Sequence, residues 1–225
     1  MHPTTILLRR LAFLGSLLAA SASAQTAIFS ENVGSPTSTT PVVSFTGWQN
    51  QGSLGFSGTA DVRSTTPSTS RYVNASGDGN VYLAAGGSKS LSISGIDTTG
   101  FQAGSFKLTF GAYKSSTSST FSELTLTHST DGTLFTAIPI PAQPTGEGTS
   151  IWRSITLSGL ALPMIGNLHL KWTNSATTGV AFRIDDISLT GTAIPEPSTY
   201  AAIAGLIALL GAELRRRHRR AGRTA

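Results

Sequence analysis

The chain has 225 residues and no cysteine, which excludes disulfide staples and thiol chemistry. Its formal charge of +5 comes from the two ends. Between residues 25 and 194, eight Lys or Arg stand against nine Asp or Glu, a net of −1, which excludes the basic face that a nucleic-acid partner requires.

The front of the chain carries Arg9 and Arg10, then the apolar run of residues 11–22, then small residues at Ala22, Ser23 and Ala24. That order is the order of a secretory signal peptide over residues 1–24, cut between Ala24 and Gln25. The apolar run is too short to stay behind as a membrane span. The partners it predicts are the secretion machinery and a signal peptidase.

Residues 25–41 are rich in Ser, Thr and Pro and are expected to be an irregular lead-in. Short β-type segments separated by turn signals follow. They are expected at 42–48, 54–62, 80–84, 88–96, 104–112, 121–128, 134–138, 151–157, 168–173 and 181–190. In two of them the alternation is clean. Phe106, Leu108, Phe110 and Ala112 alternate with Ser105, Lys107, Thr109 and Gly111, and Leu168, Leu170 and Trp172 alternate with His169, Lys171 and Thr173. In the last segment Phe182 and Ile184 share one parity and Ile187 and Leu189 the other, so a bulge is expected at Asp185–Asp186. The segments 139–149 and 157–165 are expected to be loops.

Ser and Thr make up 53 of the 170 residues from 25 to 194, which suits strands with hydroxyl-bearing outer faces. The expected fold is all-β, an antiparallel jelly-roll-like sandwich over residues 42–193. The order of elements, with its closing run Phe182-Arg183-Ile184-Asp185-Asp186-Ile187-Ser188-Leu189, resembles the jelly-roll sandwiches of secreted bacterial proteins. Related folds serve as carbohydrate-binding modules and accessory domains, and the resemblance implies those roles.

A search for catalytic chemistry selects no residues. His128 and His169 are the only histidines of the core and neither stands in a nucleophile motif. No pair of carboxylates is singled out for glycoside hydrolysis. The glycines at 77–79 and 86–87 lack the Lys-Ser and helix of a phosphate loop and read as turns. Calcium is the one cofactor with a basis, because it takes oxygen ligands. Asp185 and Asp186 at the bulge would supply carboxylates, joined by Glu31 if the first and last strands are neighbours. The alternative is that the aspartates pair with Arg183, Arg71 or backbone donors. A sugar-stacking platform needs flat rings facing outward. Trp172 shares parity with the core, whereas Trp152 has the parity opposite to Ile155 and Leu157, so Trp48 and Trp152 are the candidates.

The tail opens with Pro195, Glu196 and Pro197 and continues into an apolar run ending at Ala212. It ends in the cluster Arg215, Arg216, Arg217, His218, Arg219 and Arg220. A transmembrane helix is expected at about 198–214, with the arginines stopping it at the cytoplasmic face and the core outside. Residues 198–212 number 15 against about 20 for a straight span, a deficit that snorkelling arginines and a thinned bilayer would cover.

The three parts together resemble the PEP-CTERM sorting signal of Gram-negative bacteria, in which a Pro-Glu-Pro motif precedes a membrane helix and an Arg-rich end. The resemblance implies that an exosortase-like membrane enzyme recognises Pro195, Glu196 and Pro197 and cuts near them. It implies release to the cell surface or an exopolysaccharide matrix after transient anchoring in the inner membrane. The function expected is that of an exported, non-enzymatic surface or matrix protein. The alternative is a carbohydrate-binding module on such a protein, and the third reading is a polysaccharide hydrolase.

Overall fold

The structure is a computed structural model that describes residues 25–195 and 197–221; of residues 197–203 and 217–221 only the backbone path is described. The expected signal peptide at 1–24 and the expected recognition residue Glu196 lie outside the described residues. The chain divides into a domain ending at Ala193 and a separate tail unit beginning at Ile194.

The domain is an antiparallel β-sandwich of jelly-roll type. Its strands are β1 (Gln25–Glu31), β2 (Thr40–Pro41), β3 (Gly55–Ser57), β4 (Asp61–Arg63), β5 (Asn80–Leu83), β6 (Ser90–Ile96), β7 (Phe106–Lys114), β8 (Leu124–Ser129), β9 (Thr136–Ile138), β10 (Arg153–Leu160), β11 (Leu168–Asn174) and β12 (Phe182–Thr192). The seven-stranded sheet runs β10-β7-β12-β5-β4-β2, and β1 also pairs with β12. The five-stranded sheet runs β3-β6-β11-β8-β9. Strand β12 is central. One edge pairs with β7; the other pairs with β5 through its first residues and with β1 through its last.

The alternation read from the sequence explains the core. Phe106, Leu108, Phe110 and Ala112 of β7 are buried, as are Leu168, Leu170 and Trp172 of β11. The Phe110 and Trp172 rings meet edge to face with centroids 5.6 Å apart, locking the two sheets together. Asn174 at the end of β11 adds a polar tie. Its side-chain amide donates to the carbonyl oxygens of Leu83, Ala84 and Val180.

The expected bulge in β12 is present. The pairing with β7 shifts between Asp185 and Ser188, and Asp186 adopts φ 49°. The extra residue moves Ile187 and Leu189 back onto the core side, where both are fully buried.

Three expectations are corrected. Residues 25–31, expected to be irregular, form β1, because Phe29 and Glu31 point inward and the backbone completes the exposed edge of β12. Residues 42–48, expected to be a strand, open with a 3₁₀ turn over Val42–Ser44. Pro41 has no N–H for a ladder, and its carbonyl accepts from Phe45 across the turn. The expected strand at 54–62 is split into β3 and β4, which belong to different sheets.

The tail unit is one helix, α1 (Pro197–Ala221), of 25 residues. Proline at its first position fits a site where no N–H is needed. The expected transmembrane span is corrected: among the described residues no helix is long and apolar enough to cross a membrane. The helix continues through Glu213 into the arginines, and the apolar stretch before Glu213 falls short of about 20 residues.

Candidate functional site

The outer face of the seven-stranded sheet carries the most developed surface feature. The connection from β4 to β5, residues 64–79, crosses this face as a strap. Trp152 donates from Nε1 to the Thr66 carbonyl (3.1 Å), and Arg183 donates from Nη1 to the Thr65 carbonyl (2.9 Å). Ser68 donates to Asp185 Oδ2 (2.7 Å), Tyr72 donates to Asp186 Oδ2 (2.5 Å), and the Ser76 amide donates to the same oxygen (3.1 Å). The bulge therefore presents two carboxylates that hold the strap down. Gly111 of β7 leaves the room for it, because a Cβ there would collide with the Tyr72 ring.

This packing sets the electrostatics. Burial and the neighbouring Asp186 charge push the Asp185 carboxyl up to about 8, against the opposing donation from Ser68. Burial and the hydrogen bond to Asp186 raise the Tyr72 hydroxyl, so it remains a donor.

The strap separates two cavities. One, of about 260 Å³, is lined by Thr66, Pro67, Arg71, Tyr113, Ser150, Ile151 and Trp152. The other is a groove of about 430 Å³ between the strap and β7, β12 and β1. Its wall is Tyr72, Val73 and Asn74, and its floor includes Ser30, Lys107, Thr109, Ser188 and Thr190.

The floor is ordered by strand register. Thr156 of β10 pairs with Thr109 of β7, Thr109 with Ser188 of β12, and Ser188 with Ser30 of β1. These four residues form one row of hydroxyls across four strands, about 14 Å long at ordinary strand spacing, and Thr109, Ser188 and Ser30 of that row line the groove. The next row holds Ser158, Lys107 and Thr190. Such a surface donates and accepts hydrogen bonds at regular intervals.

The residues selected from the sequence have different fates. Trp152 lies on the outer side, as its parity implied, but it is 4% exposed, covered by the strap and packed near Tyr72 and Tyr113. Trp48 is 6% exposed, stacked on Phe56 at 4.2 Å and met edge-on by Phe45. Both rings are buried rather than facing outward, so the stacking platform expected on Trp48 and Trp152 is corrected.

Glu31 is a neighbour of β12, as expected for the calcium set, but it is fully buried and its carboxylate is already occupied. Val33 and Gln49 donate their amides to Oε1, each at 3.0 Å. Asn50 donates its amide (3.0 Å) and side chain (3.1 Å) to Oε2. Asp185 and Asp186 likewise accept from protein donors. Among the described residues no three His, Cys, Asp or Glu gather to hold a metal ion, so Glu31, Asp185 and Asp186 do not form the expected calcium set. The alternative pairing with backbone donors is the arrangement found, with hydroxyls in place of the expected arginines.

In the tail, Pro195 is half-buried, Pro197 begins α1, and Arg215 and Arg216 are exposed on it. Arg217, Arg219 and Arg220 continue the same helix.

Sequence reading missed the groove itself. Its signal was the outward parity of Thr109, Ser188 and Thr190, which was used only to place the core. Nothing local marked the strap, because Tyr72 meets Asp186 across 114 positions.

Comparison with protein-family models finds no match, and comparison with curated proteins finds none. Solved structures similar to the chain include TmCBM61 in complex with β-1,4-galactotriose, at 19% identity and TM-score 0.37, covering 60% of this chain and 86% of that one. A carbohydrate-binding module from Cellvibrio mixtus lichenase 5A, in complex with cellotriose, is similar at 13% identity and TM-score 0.37, covering 74% and 99%. The K3 cleaved adhesin domain of Lys-gingipain from Porphyromonas gingivalis is similar at 11% identity and TM-score 0.42, covering 74% and 99%.

Proposed function

We propose that this chain is an exported, non-catalytic glycan-binding protein, displayed at the cell surface or in an exopolysaccharide matrix. The observation that carries the reading is the hydroxyl-floored groove on the outer face of the seven-stranded sheet. A polyhydroxylated chain is the ligand class whose hydrogen bonding matches an extended row of Ser and Thr. The groove is shaped by packed strands and a tied strap, so it is preformed and costs little to organise on binding.

The carboxylates support the non-catalytic part of this reading. Glycoside hydrolysis needs an acid and a second facing carboxylate. Among the described residues Asp186 is the carboxylate of the groove lining, and Tyr72 and Ser76 already donate to it. Export and sorting rest on the residue order at the two ends, including Pro195, Glu196 and Pro197 ahead of the Arg-bearing helix.

The test is a glycan array probed with the full chain. Binding to a polysaccharide is expected, weakened at least several-fold when Thr109→Val and Ser188→Ala are combined. Absence of binding to every glycan would remove this reading.

A further inference from the structure

Among the described residues, Lys107 is the cationic side chain lining the groove. It stands on the outer side of β7, paired with Ser158 of β10 and Thr190 of β12. The residue is half-buried and lines the groove. Among the described residues it has no carboxylate within ion-pair distance.

The carboxylate in the lining, Asp186, keeps its charge but makes no ion pair with Lys107. Asp186 is engaged by Tyr72 and Ser76, and the Thr190 hydroxyl donates to Gln25 (2.6 Å). Lys107 is therefore the charged donor of the lining whose ammonium no protein acceptor engages among the described residues. Stacking offers little here. Phe110 contributes to the lining but is 1% exposed, and the Tyr72 ring lies over Gly111. Affinity must then come from hydrogen bonds, and those to an ionised partner are about twice as strong as neutral ones.

We propose that the groove selects acidic glycans, chains whose rings carry a uronate carboxylate or a sulfate ester. In this arrangement Lys107 binds the anionic group, and the row of Thr109, Ser188 and Ser30 binds the hydroxyls of the adjoining ring. The inference rests on the glycan-binding reading above and specifies its ligand.

The full chain is titrated with oligogalacturonate, with the same oligomers carboxyl-reduced to neutral galactose, and with sulfated galactan, alongside a general glycan array. The expected result is binding of a charged ligand that falls about ten-fold or more on carboxyl reduction or desulfation. The same fall is expected for Lys107→Gln, with recovery in Lys107→Arg and steady weakening with added salt. Unchanged thermal unfolding of the Lys107→Gln variant separates ligand loss from misfolding. Equal binding of charged and neutral oligomers, or charged binding that survives Lys107→Gln, overturns this inference and leaves the glycan reading standing. No binding to any glycan overturns both.

Discussion

The Tyr72 hydroxyl donates to the Asp186 carboxylate across 114 positions of sequence, joining the strap to the bulge of the central strand. A charged acceptor makes this a strong tie, and Tyr72→Phe removes it while keeping the ring. The expected cost is about 1.5–3 kcal/mol, as for hydrogen bonds to charged groups. Urea unfolding measures it, and hydrogen exchange over residues 64–79 should quicken more than in the core.

Asp185 gives the domain a pH dependence. Its folded-state value of about 8 lies above the ordinary aspartate value, so the folded chain holds this proton more tightly than the unfolded chain. The contribution is complete below about pH 4 and is lost as pH rises toward about 8. His128, lowered by burial, acts in the opposite direction at the acid end. Comparing variants isolates the aspartate: Asp185→Asn should flatten the fall in urea midpoint between about pH 5 and pH 8. An unchanged slope would remove Asp185 as its source.

Glu31→Gln is expected to be costly despite its small change in shape. Four N–H groups converge on the carboxylate. An amide turns one acceptor into a donor facing them, leaving buried groups without partners. The expected loss is about 3 kcal/mol or more, read as a lowered unfolding midpoint.

Asn174→Ala should loosen the contact between the sheets. It strands the carbonyl oxygens of Leu83 and Val180, both buried partners of the side-chain amide. A loss of about 2–4 kcal/mol is expected, with unchanged strand content by circular dichroism.

Processing of the native protein tests the proposed export and sorting. Mass spectrometry should find an N-terminus at Gln25 and a C-terminus near Pro195. A mature product that keeps Arg215 and Arg216 would rule out cleavage at the sorting motif.

The sheet core was legible because its signal is local. Phe106 to Ala112 and Leu168 to Trp172 alternate strictly, and the parity change between Ile184 and Ile187 located the bulge. Val42 and Trp48 misled because Val42 is buried from a 3₁₀ turn and Trp48 from the irregular stretch after it, which apolar spacing does not distinguish from a short strand. Gln25 to Glu31 was hidden because only Phe29 and Glu31 carry its inward face. Trp152 shows the limit most clearly. Its side of the sheet could be read from parity, but its exposure is decided by a strap anchored at Thr66, far away in sequence. The same holds for Glu31, whose adjacency to β12 was foreseen while its donors at Gln49 and Asn50 were not.

The position of β12 also governs how the domain bears load. The chain leaves the domain directly after this strand, so tension in the following segment enters at Thr192. Both edges of β12 are hydrogen-bonded, to β7 and to β1 and β5. A pull along the strand axis must shear these ladders together, whereas a pull on an outer strand would unzip bonds one by one. The domain is therefore built to resist a pull applied at Thr192.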